Sequence, residues 1–399
     1  MQSLKLKPGL LTNKVLVPSS KSYANRALIL AALSSNEVTL KNLPQATDVT
    51  ILLNCFRKLG LDVQGSPDST IIKNSFPDCE STGIELEVGE GGTTARFLAA
   101  MLLLGNKPYK LILGERLKQR PWDEFITLAN SLGALVSIQD NILSIQGPVS
   151  WPESLEIDCS KTTQFATGFQ LMSGKTNTTI RPVNLKSSLS YWKMTEKIMT
   201  EMSGGANYTI PADWSSASYP LAFSALNQRI EFPDLRPDSF QADSKFYEVL
   251  KHFGALEENS TGITTYPGKT SGSIQLDVSD ALDLVPTLAY FLSHIEGTHE
   301  LMNIQNLIHK ESDRLHEVIK LLSLFERKAS SDGTSLIIEG STSRLMKEVN
   351  LNLPDDHRMV MVGSLFLLHH GGGSVTPAEA VHKSYPDFFN LIPSIYRSI

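Results

Sequence analysis

The chain has 399 residues, of which 41% are hydrophobic, and a formal net charge of −6. This composition provides for more than one hydrophobic core and argues against a nucleic-acid coat, which would need a basic face. The longest purely apolar run covers the eight residues 97–104, far short of the roughly 20 that cross a bilayer. The sequence therefore predicts a globular protein of two or more domains.

The start of the chain, MQSLKLKPGLL, lacks the apolar stretch of a signal peptide. Three scattered cysteines, Cys55, Cys79 and Cys159, suit a reducing compartment and predict no disulfide framework. The nine histidines have no metal-ligand spacing, and the sequence contains no CxxC pair, GxxxxGK[ST] loop or GxGxxG turn. We therefore expect a cytoplasmic protein with no metal and no cofactor.

In chain order, a short polar turn runs six times into a compact segment rich in Ala, Leu and Met. The segments are SSKSYANRALILAAL, GGTTARFLAAMLLL, SKTTQFATGFQLM, DWSSASYPLAFSAL, SDALDLVPTLAYFL and PDDHRMVMVGSLFLL. Their predicted helix starts, at intervals of 53 to 73 residues, are Ser22, Thr94, Thr163, Ser216, Asp283 and Asp356. This spacing indicates a repeated unit. Because these helices are apolar nearly all round, we expect them to be buried.

A second, amphipathic helix follows each of the first five, and a glycine closes four of these second helices. The closing residues are Gly60, Gly133, Gly204 and Gly254, with Ser323 in the fifth position. Short β-branched runs such as EVTLKNL, YKLILGE, ALVSIQD and TSLIIEG separate the helices. Each unit is therefore predicted to be β-α-β-α-β-β, with its second helix facing solvent.

Cations lie at several predicted helix starts, where the helix dipole disfavours them. Lys21 and Arg26 flank the first start, and Arg358 falls in the first turn of the sixth. Lys310 and Arg314 are four residues apart in HKESDRL, a spacing at which like charges on a helix repel each other. A bound polyanion would remove both penalties, and helix amino ends are common anion sites.

Neighbouring carboxylates offer a structural explanation for the same cations. Glu311 or Asp313 could neutralise the cations of HKESDRL, and Asp355 with Asp356 makes a good N-cap for the sixth helix. Three cation clusters at equivalent helix starts nevertheless favour a shared anion site, because independent surface pairs would not follow the repeat.

Two further turns carry groups that suit anionic or sugar-like ligands. GEGGTTARF places Gly89, Gly91 and Gly92 before the second buried helix, where exposed backbone N–H groups could wrap a carboxylate or phosphate. SKTTQF brings hydroxyls and an amide to the third helix start. A tight strand-to-helix turn explains the first equally well, and helix capping is the simpler explanation of the second.

Together with GERLKQRPW, NLIHKESDRL and AVHKSYPDFF, these segments resemble the 5-enolpyruvylshikimate-3-phosphate synthase family over essentially the whole chain. The resemblance implies an inside-out α/β barrel of two domains, each with three β-α-β-α-β-β repeats. One domain would span residues 20–211 and the other residues 1–19 plus 212–399, with the active site in the cleft between them. It also implies a monomer.

The activity that the resemblance implies is transfer of the enolpyruvyl group of phosphoenolpyruvate to the 5-hydroxyl of shikimate 3-phosphate, with release of phosphate. This reaction belongs to the shikimate pathway, which leads through chorismate to the aromatic amino acids. Two carboxylates and two phosphates in one pocket need several fixed cations simply to offset their repulsion. Arginine suits planar, bidentate contacts, and lysine suits a movable charge.

Position by position, the resemblance assigns residues to the two substrates. Phosphoenolpyruvate would contact Lys21, Gly92, Arg120, Gln164, Arg314, Arg358 and Lys383. Shikimate 3-phosphate would contact Lys21, Ser22, Arg26, Thr162, Thr163, Gln164, Ser188, Tyr191, Asp283, Asn306 and Lys310.

Addition requires a proton for the methylene carbon of the enol and removal of one from the attacking hydroxyl, and elimination reverses these transfers. Asp283, Glu311 and Lys21 are the titratable groups in the matching motifs. The hypothesis is that Asp283 takes the hydroxyl proton, while Glu311 and Lys21 manage the carbon proton and the leaving phosphate.

The chain departs from the family pattern at three positions. Glu90 stands where the family has Asn, Ser or Ala, so an extra carboxylate could point away, pair with a neighbouring Arg or weaken substrate affinity. Thr162 and Thr163 replace paired serines and add methyl bulk near shikimate 3-phosphate. Gly92 matches the herbicide-sensitive form of the family, which implies inhibition by glyphosate in competition with phosphoenolpyruvate.

Two alternatives stand beside this assignment. A UDP-N-acetylglucosamine enolpyruvyl transferase shares the fold and the donor, but it carries a reactive Cys in the loop that corresponds to GERLKQRP, where this chain has none. A non-catalytic repeat protein that binds polyanions could keep Arg120, Arg358 and Lys383. Such a protein would have no reason to keep Asp283 and Glu311.

Overall fold

Short helices and strands alternate along the chain. The structure, a computed structural model, describes residues 2–79, 85–185 and 188–393. Within these residues the helices are α1 (Lys21–Leu33), α2 (Thr47–Lys58), α3 (Gly92–Leu102), α4 (Asp123–Ser131), α5 (Gln164–Thr176), α6 (Leu189–Glu201), α7 (Trp214–Asn227), α8 (Lys245–His252), α9 (Val285–Leu292), α10 (Arg314–Leu324) and α11 (His357–His369). The strands are β1 (Leu4–Leu6), β2 (Val38–Lys41), β3 (Val63–Ser66), β4 (Ser69–Ile72), β5 (Glu85–Gly89), β6 (Pro108–Leu113), β7 (Leu135–Gln139), β8 (Ile142–Gln146), β9 (Ser154–Asp158), β10 (Thr179–Val183), β11 (Tyr208–Thr209), β12 (Ile230–Pro233), β13 (Leu256–Asn259), β14 (Gly262–Thr265), β15 (Gln275–Asp277), β16 (Gly297–Met302), β17 (Lys328–Ser331), β18 (Ser335–Gly340), β19 (Val349–Asn352) and β20 (Gly373–Thr376).

The chain divides into two compact units. The continuous unit is Ser19–Pro211, and the discontinuous unit is Met1–Pro18 with Ala212–Ile399. Helices α1, α3 and α5 pack against one another in the continuous unit, as do α7, α9 and α11 in the discontinuous unit. Helix α11 is buried along its whole length, whereas α2, α4, α8 and α10 bury only one face. The predicted difference between interior and solvent-facing helices is therefore confirmed.

The predicted β-α-β-α-β-β unit is complete in the second and fifth repeats. In the second, β5 runs parallel to β6, and β8 pairs antiparallel with both β6 and β7. In the fifth, β15, β16, β18 and β17 repeat the same order and directions. This arrangement places one buried helix behind each parallel strand pair, with its amino end following the first strand.

Other repeats obtain strands from distant parts of the chain. In the continuous unit, β11 pairs parallel with β2 and supplies the strand that the first repeat lacks. In the discontinuous unit, β1 pairs antiparallel with β20 of the sixth repeat, and an isolated parallel bridge joins Lys14 to Glu231 of the fourth. The third repeat has only β9 and β10 in its sheet. The first and last strands of a unit thus extend the sheets of distant repeats, where they form the edge strands.

The helix ends agree closely with the turn chemistry of the sequence. Each buried helix begins within two residues of its predicted start. The four closing glycines have positive φ angles, from 64° at Gly254 to 98° at Gly133, as expected for the residue after a helix. The fifth closing position was wrong. Ser323 lies inside α10, and Glu326 takes the left-handed conformation with φ 57°.

The structure places no helix of the described residues that is both long and apolar enough to cross a membrane.

Two buried histidines of the discontinuous unit form a chain of hydrogen bonds in their neutral forms. The Nδ1 atom of His294 lies 2.6 Å from the carbonyl oxygen of Tyr290. The Nε2 atom of His294 lies 2.9 Å from Nε2 of His370. The Nδ1 of His370 accepts the backbone N–H of Leu345. His370 therefore carries its proton on Nε2 and donates it to His294.

A third histidine, His369, packs beside these two. Its Nδ1 contacts the hydroxyl of Tyr290 and the side-chain amide of Asn227. Burial, together with the charges of Arg344 and Arg327, lowers the pKa of His369 to about 3. Burial likewise lowers the pKa of His370 to about 3 and that of His294 well below its usual value. The three rings are thus held neutral in the folded protein.

This cluster predicts a loss of stability in mild acid. In the unfolded chain a histidine gains a proton below about pH 6.5. In the folded protein the pKa values of His369 and His370 are about 3 and that of His294 is also well below its usual value, so the free energy of unfolding falls as the pH drops below about 6.5. The expected slope is about 1.4 kcal/mol per pH unit for each histidine. His294→Leu should reduce that slope in urea unfolding between pH 6 and 5. The same change at solvent-exposed His309 is the control, and an equal slope in both variants would contradict the assignment.

Candidate active site

A group of three carboxylates and three cations lies in the discontinuous unit. The amino ends of α10 and α11 and the 3₁₀ turn Leu282–Leu284 before α9 bring it together. We name this group the carboxylate cluster; it consists of Asp283, Lys310, Glu311, Arg314, Asp356 and Arg358.

Asp283 contacts all three cations of the carboxylate cluster. Its Oδ1 lies 2.6 Å from Nη1 of Arg314 and 3.2 Å from Nζ of Lys310, and its Oδ2 accepts a hydrogen bond of 3.0 Å from Arg358. Burial alone would raise the pKa of Asp283, but attraction to Arg358, Lys310 and Arg314 outweighs it and holds the pKa well below its usual range. Asp283 is therefore an ionised carboxylate at neutral pH.

Arg314 is completely buried and contacts all three carboxylates of the cluster. Its Nε donates to Oδ2 of Asp356 at 2.8 Å, its Nη1 donates to Asp283, and its Nη2 donates to Glu311. Burial disfavours the charged guanidinium, but these three carboxylates, Asp356 foremost, raise the pKa of Arg314 above its usual value. Ser312 donates a further bond of 2.9 Å to Asp356. Every donor group of Arg314 is thus used inside the cluster.

The expected repulsion between Lys310 and Arg314 is not present. Lys310 follows the 3₁₀ turn Gln305–His309 in an extended conformation, and α10 begins only at Arg314. The two side chains are therefore not on one helix face, and Asp283 lies between them. The sequence suggested that Glu311 or Asp313 could neutralise these cations. This is confirmed in part, because Glu311 pairs with Arg314, whereas Lys310 pairs with Asp283.

Two other predicted residues of this unit, Asn306 and Lys383, lie in the 3₁₀ turns Gln305–His309 and Ala378–Lys383. Both are half-buried, and within the described residues neither is hydrogen-bonded to the carboxylate cluster. Asp243, which the sequence analysis missed, is buried and faces the same group. Burial raises its pKa to about 6, although Arg358 opposes the shift.

In the continuous unit, the glycine-rich turn before α3 packs against the side chain of Arg120. Gly92 is the first residue of α3, and a Cβ atom placed there would overlap Nη1 of Arg120. The same Cβ would lie 3.2 Å from Oε1 of Gln164, the first residue of α5. The N-cap residues of the two helices, Gly91 for α3 and Thr163 for α5, accept no hydrogen bond through a side chain. The structure thus brings together Gly92, Arg120 and Gln164 at the amino ends of two helices, of which α3 has no side-chain cap.

Arg96 links these residues from inside the unit, and the sequence analysis missed it. Its Nη1 donates to Oε1 of Gln164 at 2.6 Å, and its Nη2 donates to the carbonyl of Pro121 at 3.0 Å. The guanidinium carbon lies 4.9 Å from the ring centre of Phe165 and 5.5 Å from that of Trp122. Burial, with the nearby charge of Arg120, lowers its pKa well below the usual value.

Within the described residues, no carboxylate lies at ion-pair distance from Arg96 or Arg120. All the ion pairs of this part of the chain involve other cations, such as the 2.9 Å pair between Lys161 and Glu124. Burial and repulsion from neighbouring Arg120 both oppose the charge of Arg96, and the more distant charge of Glu124 offsets them only in part. An anion bound between the two guanidinium groups would remove the remaining cost. We name Gly92, Arg96, Arg120 and Gln164 the guanidinium cluster.

Lys21, the first residue of α1, pairs with a buried carboxylate. Its Nζ lies 2.9 Å from Oδ2 of Asp48, which stands in the first turn of α2. Asp48 was not among the residues predicted from the sequence. The carboxylate in turn packs against Gly91, where a Cβ atom would come within 2.9 Å of it. A half-buried lysine is thus held beside the glycine turn.

Arg26 is buried between α1 and α6. Its Nε donates to Oγ1 of Thr195 at 2.8 Å, and its two Nη groups donate to the carbonyl oxygens of Ser22 and Tyr191. Burial lowers the pKa of Arg26 to about 10, so it remains charged at neutral pH. The structure therefore brings Arg26 together with Ser22 and Tyr191, as the resemblance implied.

The remaining predicted residues lie at the amino ends of α5 and α6. Thr163 is the N-cap residue of α5, and the hydroxyl of Thr162 accepts the backbone N–H of Gln164 at 3.2 Å. Ser188 precedes α6 with a positive φ of 63°. Helix capping therefore accounts for Thr162. The side-chain amide of Gln164 donates instead to the hydroxyl of Thr93.

Asp356 and Asp313 provide a test of the carboxylate cluster, because both are N-caps but only Asp356 also pairs with a buried arginine. Asp356→Ala should lower the free energy of unfolding by about 3–5 kcal/mol, since it leaves Arg314 short of a partner. Asp313→Ala should cost about 1 kcal/mol, the value of a cap alone. Urea unfolding measures both, and equal losses would show that the buried pair contributes nothing beyond capping.

The chain is similar to known proteins over nearly its whole length. The family model for EPSP synthase (3-phosphoshikimate 1-carboxyvinyltransferase) matches residues 6–392. The 3-phosphoshikimate 1-carboxyvinyltransferase of Vibrio campbellii is 31% identical over 431 residues, covering 99% of this chain and 100% of that protein. The protein of the same name from Thermococcus kodakarensis is 31% identical over 392 residues, covering 94% of each. The solved structure of EPSP synthase from Acinetobacter baumannii shares the fold with a TM-score of 0.80 at 21% identity, covering 98% of this chain and 97% of that one. The chain belongs to the EPSP synthase family.

Proposed function

We propose that the chain transfers the enolpyruvyl group of phosphoenolpyruvate to the 5-hydroxyl of shikimate 3-phosphate and releases phosphate, as a step of the shikimate pathway. Membership of the family and the names of its relatives support this activity. The observation within the molecule that carries it is the pair Arg96 and Arg120, two guanidinium groups without a carboxylate partner beside the uncapped end of α3. Such a site suits a small, multiply charged anion.

Phosphoenolpyruvate is assigned to the guanidinium cluster. The first N–H groups of α3 are free of a side-chain cap, and Arg120 lies against Gly92 where the ligand would approach. Lys21, held by Asp48, adds a movable charge at the same turn. The discontinuous unit would contribute Arg314, Arg358 and Lys383 to the same ligand.

Shikimate 3-phosphate is assigned to groups of both units. In the continuous unit, Arg26 supplies a buried charge, and hydroxyls lie at the starts of α1, α5 and α6. The assigned residues are Lys21, Ser22, Arg26, Thr162, Thr163, Gln164, Ser188, Tyr191, Asp283, Asn306 and Lys310. The two units would then act as the two domains of one active site, with residues 20–211 as one domain and residues 1–19 plus 212–399 as the other.

The proton transfers are assigned to Asp283, Glu311 and Lys21. Asp283 is ionised at neutral pH and therefore able to accept the proton of the attacking hydroxyl. Glu311 and Lys21 would deliver the proton to the methylene carbon and assist the leaving phosphate. General acid–base catalysis of this kind contributes roughly 10²–10⁴-fold to a rate.

A UDP-N-acetylglucosamine acceptor is disfavoured. The cysteine chemistry of that enzyme has no counterpart in the Gly114–Arg120 loop. Burial raises the pKa of Cys55 to about 12 and that of Cys159 to about 11, so both thiols are unreactive. We further propose that the protein works as a monomer in the cytoplasm, without metal or cofactor.

The activity is tested by phosphate release from phosphoenolpyruvate with each acceptor in turn. We expect release with shikimate 3-phosphate and none with UDP-N-acetylglucosamine. Glyphosate should inhibit, and phosphoenolpyruvate should relieve the inhibition competitively, since both anions would occupy the guanidinium cluster. Release with UDP-N-acetylglucosamine alone would select the alternative enzyme, and release with neither would leave only an anion-binding protein.

Replacement of Lys21 by Met tests the assigned role of that lysine. The change keeps the length of the side chain but removes its charge and its proton, so turnover should fall by at least roughly 10²-fold. Far-ultraviolet circular dichroism should remain that of the parent chain. Lys118→Met, in a half-buried lysine paired with Glu115, is the matched control and should keep normal turnover. Near-normal activity in the Lys21 variant would refute its catalytic role.

A further inference from the structure

The carboxylate of Glu90 bonds the backbone of a second loop. Glu90 stands between Gly89, whose φ is 59°, and Gly91, in the turn that joins β5 to α3. Its Oε2 accepts the backbone N–H of Leu117 at 2.8 Å, and its Oε1 accepts that of Arg116 at 3.3 Å. The sequence left open whether Glu90 pairs with a neighbouring arginine. The carboxylate instead bonds the peptide groups of Arg116 and Leu117.

The accepting loop is shaped to receive this carboxylate. Gly114 packs directly against it, and a Cβ atom at that position would overlap the carboxylate oxygens. The N–H of Gly114 also donates to the carbonyl of Gly89 at 2.9 Å. The turn and the loop are therefore joined at three peptide groups, two of them through Glu90.

The joined loop ends at the arginine of the guanidinium cluster. The 3₁₀ turn Leu117–Gln119 follows the two N–H groups that Glu90 holds, and Arg120 comes next in an extended conformation. From there the side chain of Arg120 reaches Gly92, two residues after Glu90. Two of the three bonds between the glycine turn and the loop that carries Arg120 thus run through Glu90.

We propose that Glu90 is a positioning residue of the donor subsite, which holds the Gly114–Arg120 loop so that Arg120 meets the anionic donor beside Gly92. This inference rests on the proposed function. The charge of Glu90 would by itself repel phosphoenolpyruvate, but its two oxygens are directed at N–H donors of the loop. Each carboxylate oxygen accepts one N–H group here, so an amide in the same position would place its NH₂ group, which is a donor, against one of them.

The Glu90→Gln variant separates positioning from simple repulsion by the sign of its effect. If Glu90 positions the loop, the KM for phosphoenolpyruvate rises roughly tenfold, the effect of one lost charge-assisted hydrogen bond, while the KM for shikimate 3-phosphate is unchanged. If Glu90 only repels the donor, its KM falls. Glu115→Gln is the matched control, because this exposed carboxylate of the same loop pairs with Lys118 and makes no bond to the turn. The control should leave both KM values unchanged.

Gly114→Ala should reproduce the effect by displacing the carboxylate. In a double-mutant cycle, Gly114→Ala should add little to Glu90→Ala, because the two changes break the same contact. Additive effects would overturn the inference.

Hydrogen exchange gives a measurement that does not depend on turnover. The amide hydrogens of Arg116 and Leu117 should exchange faster in Glu90→Gln than in the parent protein, while amides of the distant strand β16 exchange as before. Unchanged exchange at both amides would overturn the positioning role even if the enzyme is active. Failure of the parent chain to release phosphate, with faster exchange in the variant, would instead overturn the proposed function and leave the structural tie intact.

Discussion

The burial of three helices in each unit dictates where polar chemistry can occur in this protein. The first N–H groups of a buried helix have no partner within it, so every amino end must meet a capping group, water or a ligand. Helices α1, α7 and α11 meet the side chains of Ser20, Asp213 and Asp356. The N-cap residues of α3 and α5, Gly91 and Thr163, make no such bond, although the hydroxyl of Thr162 accepts the first N–H of α5. The repeat thus provides equivalent helix ends, of which some are closed and others remain available to bind anions.

The two units differ in how they balance charge. In the carboxylate cluster, three cations meet three carboxylates, and fully buried Arg314 is compensated by acidic groups on all sides. In the guanidinium cluster, Arg96 meets amide, carbonyl and aromatic groups, and within the described residues neither Arg96 nor Arg120 has a carboxylate at ion-pair distance. The guanidinium cluster therefore favours the binding of an anion, whereas the carboxylate cluster holds its carboxylates fixed and ionised. Under the proposed function, the guanidinium cluster would attract the donor anion, and the carboxylate cluster would supply ionised carboxylates for proton transfer.

Local patterns predicted the repeat and the buried helices, because apolar periodicity and turn residues act over a few positions. The strand exchange was not predictable in the same way, since β1 pairs with a strand at the other end of the chain. Arg96 was missed because its partner Gln164 lies 68 residues away, and only the packing of α3 against α5 brings the two together. A charged residue within the apolar segment ARFLAAMLLL was nevertheless a signal that could have identified it.

The cations at helix starts were correctly singled out, but their mutual repulsion was misjudged. Lys310 takes an extended conformation, and α10 begins only at Arg314, directly after Asp313. Asp313 is a typical N-cap residue, but it was considered only as a counter-charge. The correction changes the argument for a ligand. Carboxylates already relieve the cations of the discontinuous unit, so the case for an anion rests instead on Arg96 and Arg120.

The charge balance around Asp283 has a consequence for catalysis. Attraction to Arg358 and Lys310 holds its pKa far below neutrality, which keeps the carboxylate ionised but makes it a weak base. A phosphate or carboxylate that binds the same two cations offsets their positive charge. The pKa of Asp283 must then rise toward the value that burial alone would favour. Under the proposed function, binding of an anionic substrate to these cations would therefore turn a structural ion-pair partner into an effective base.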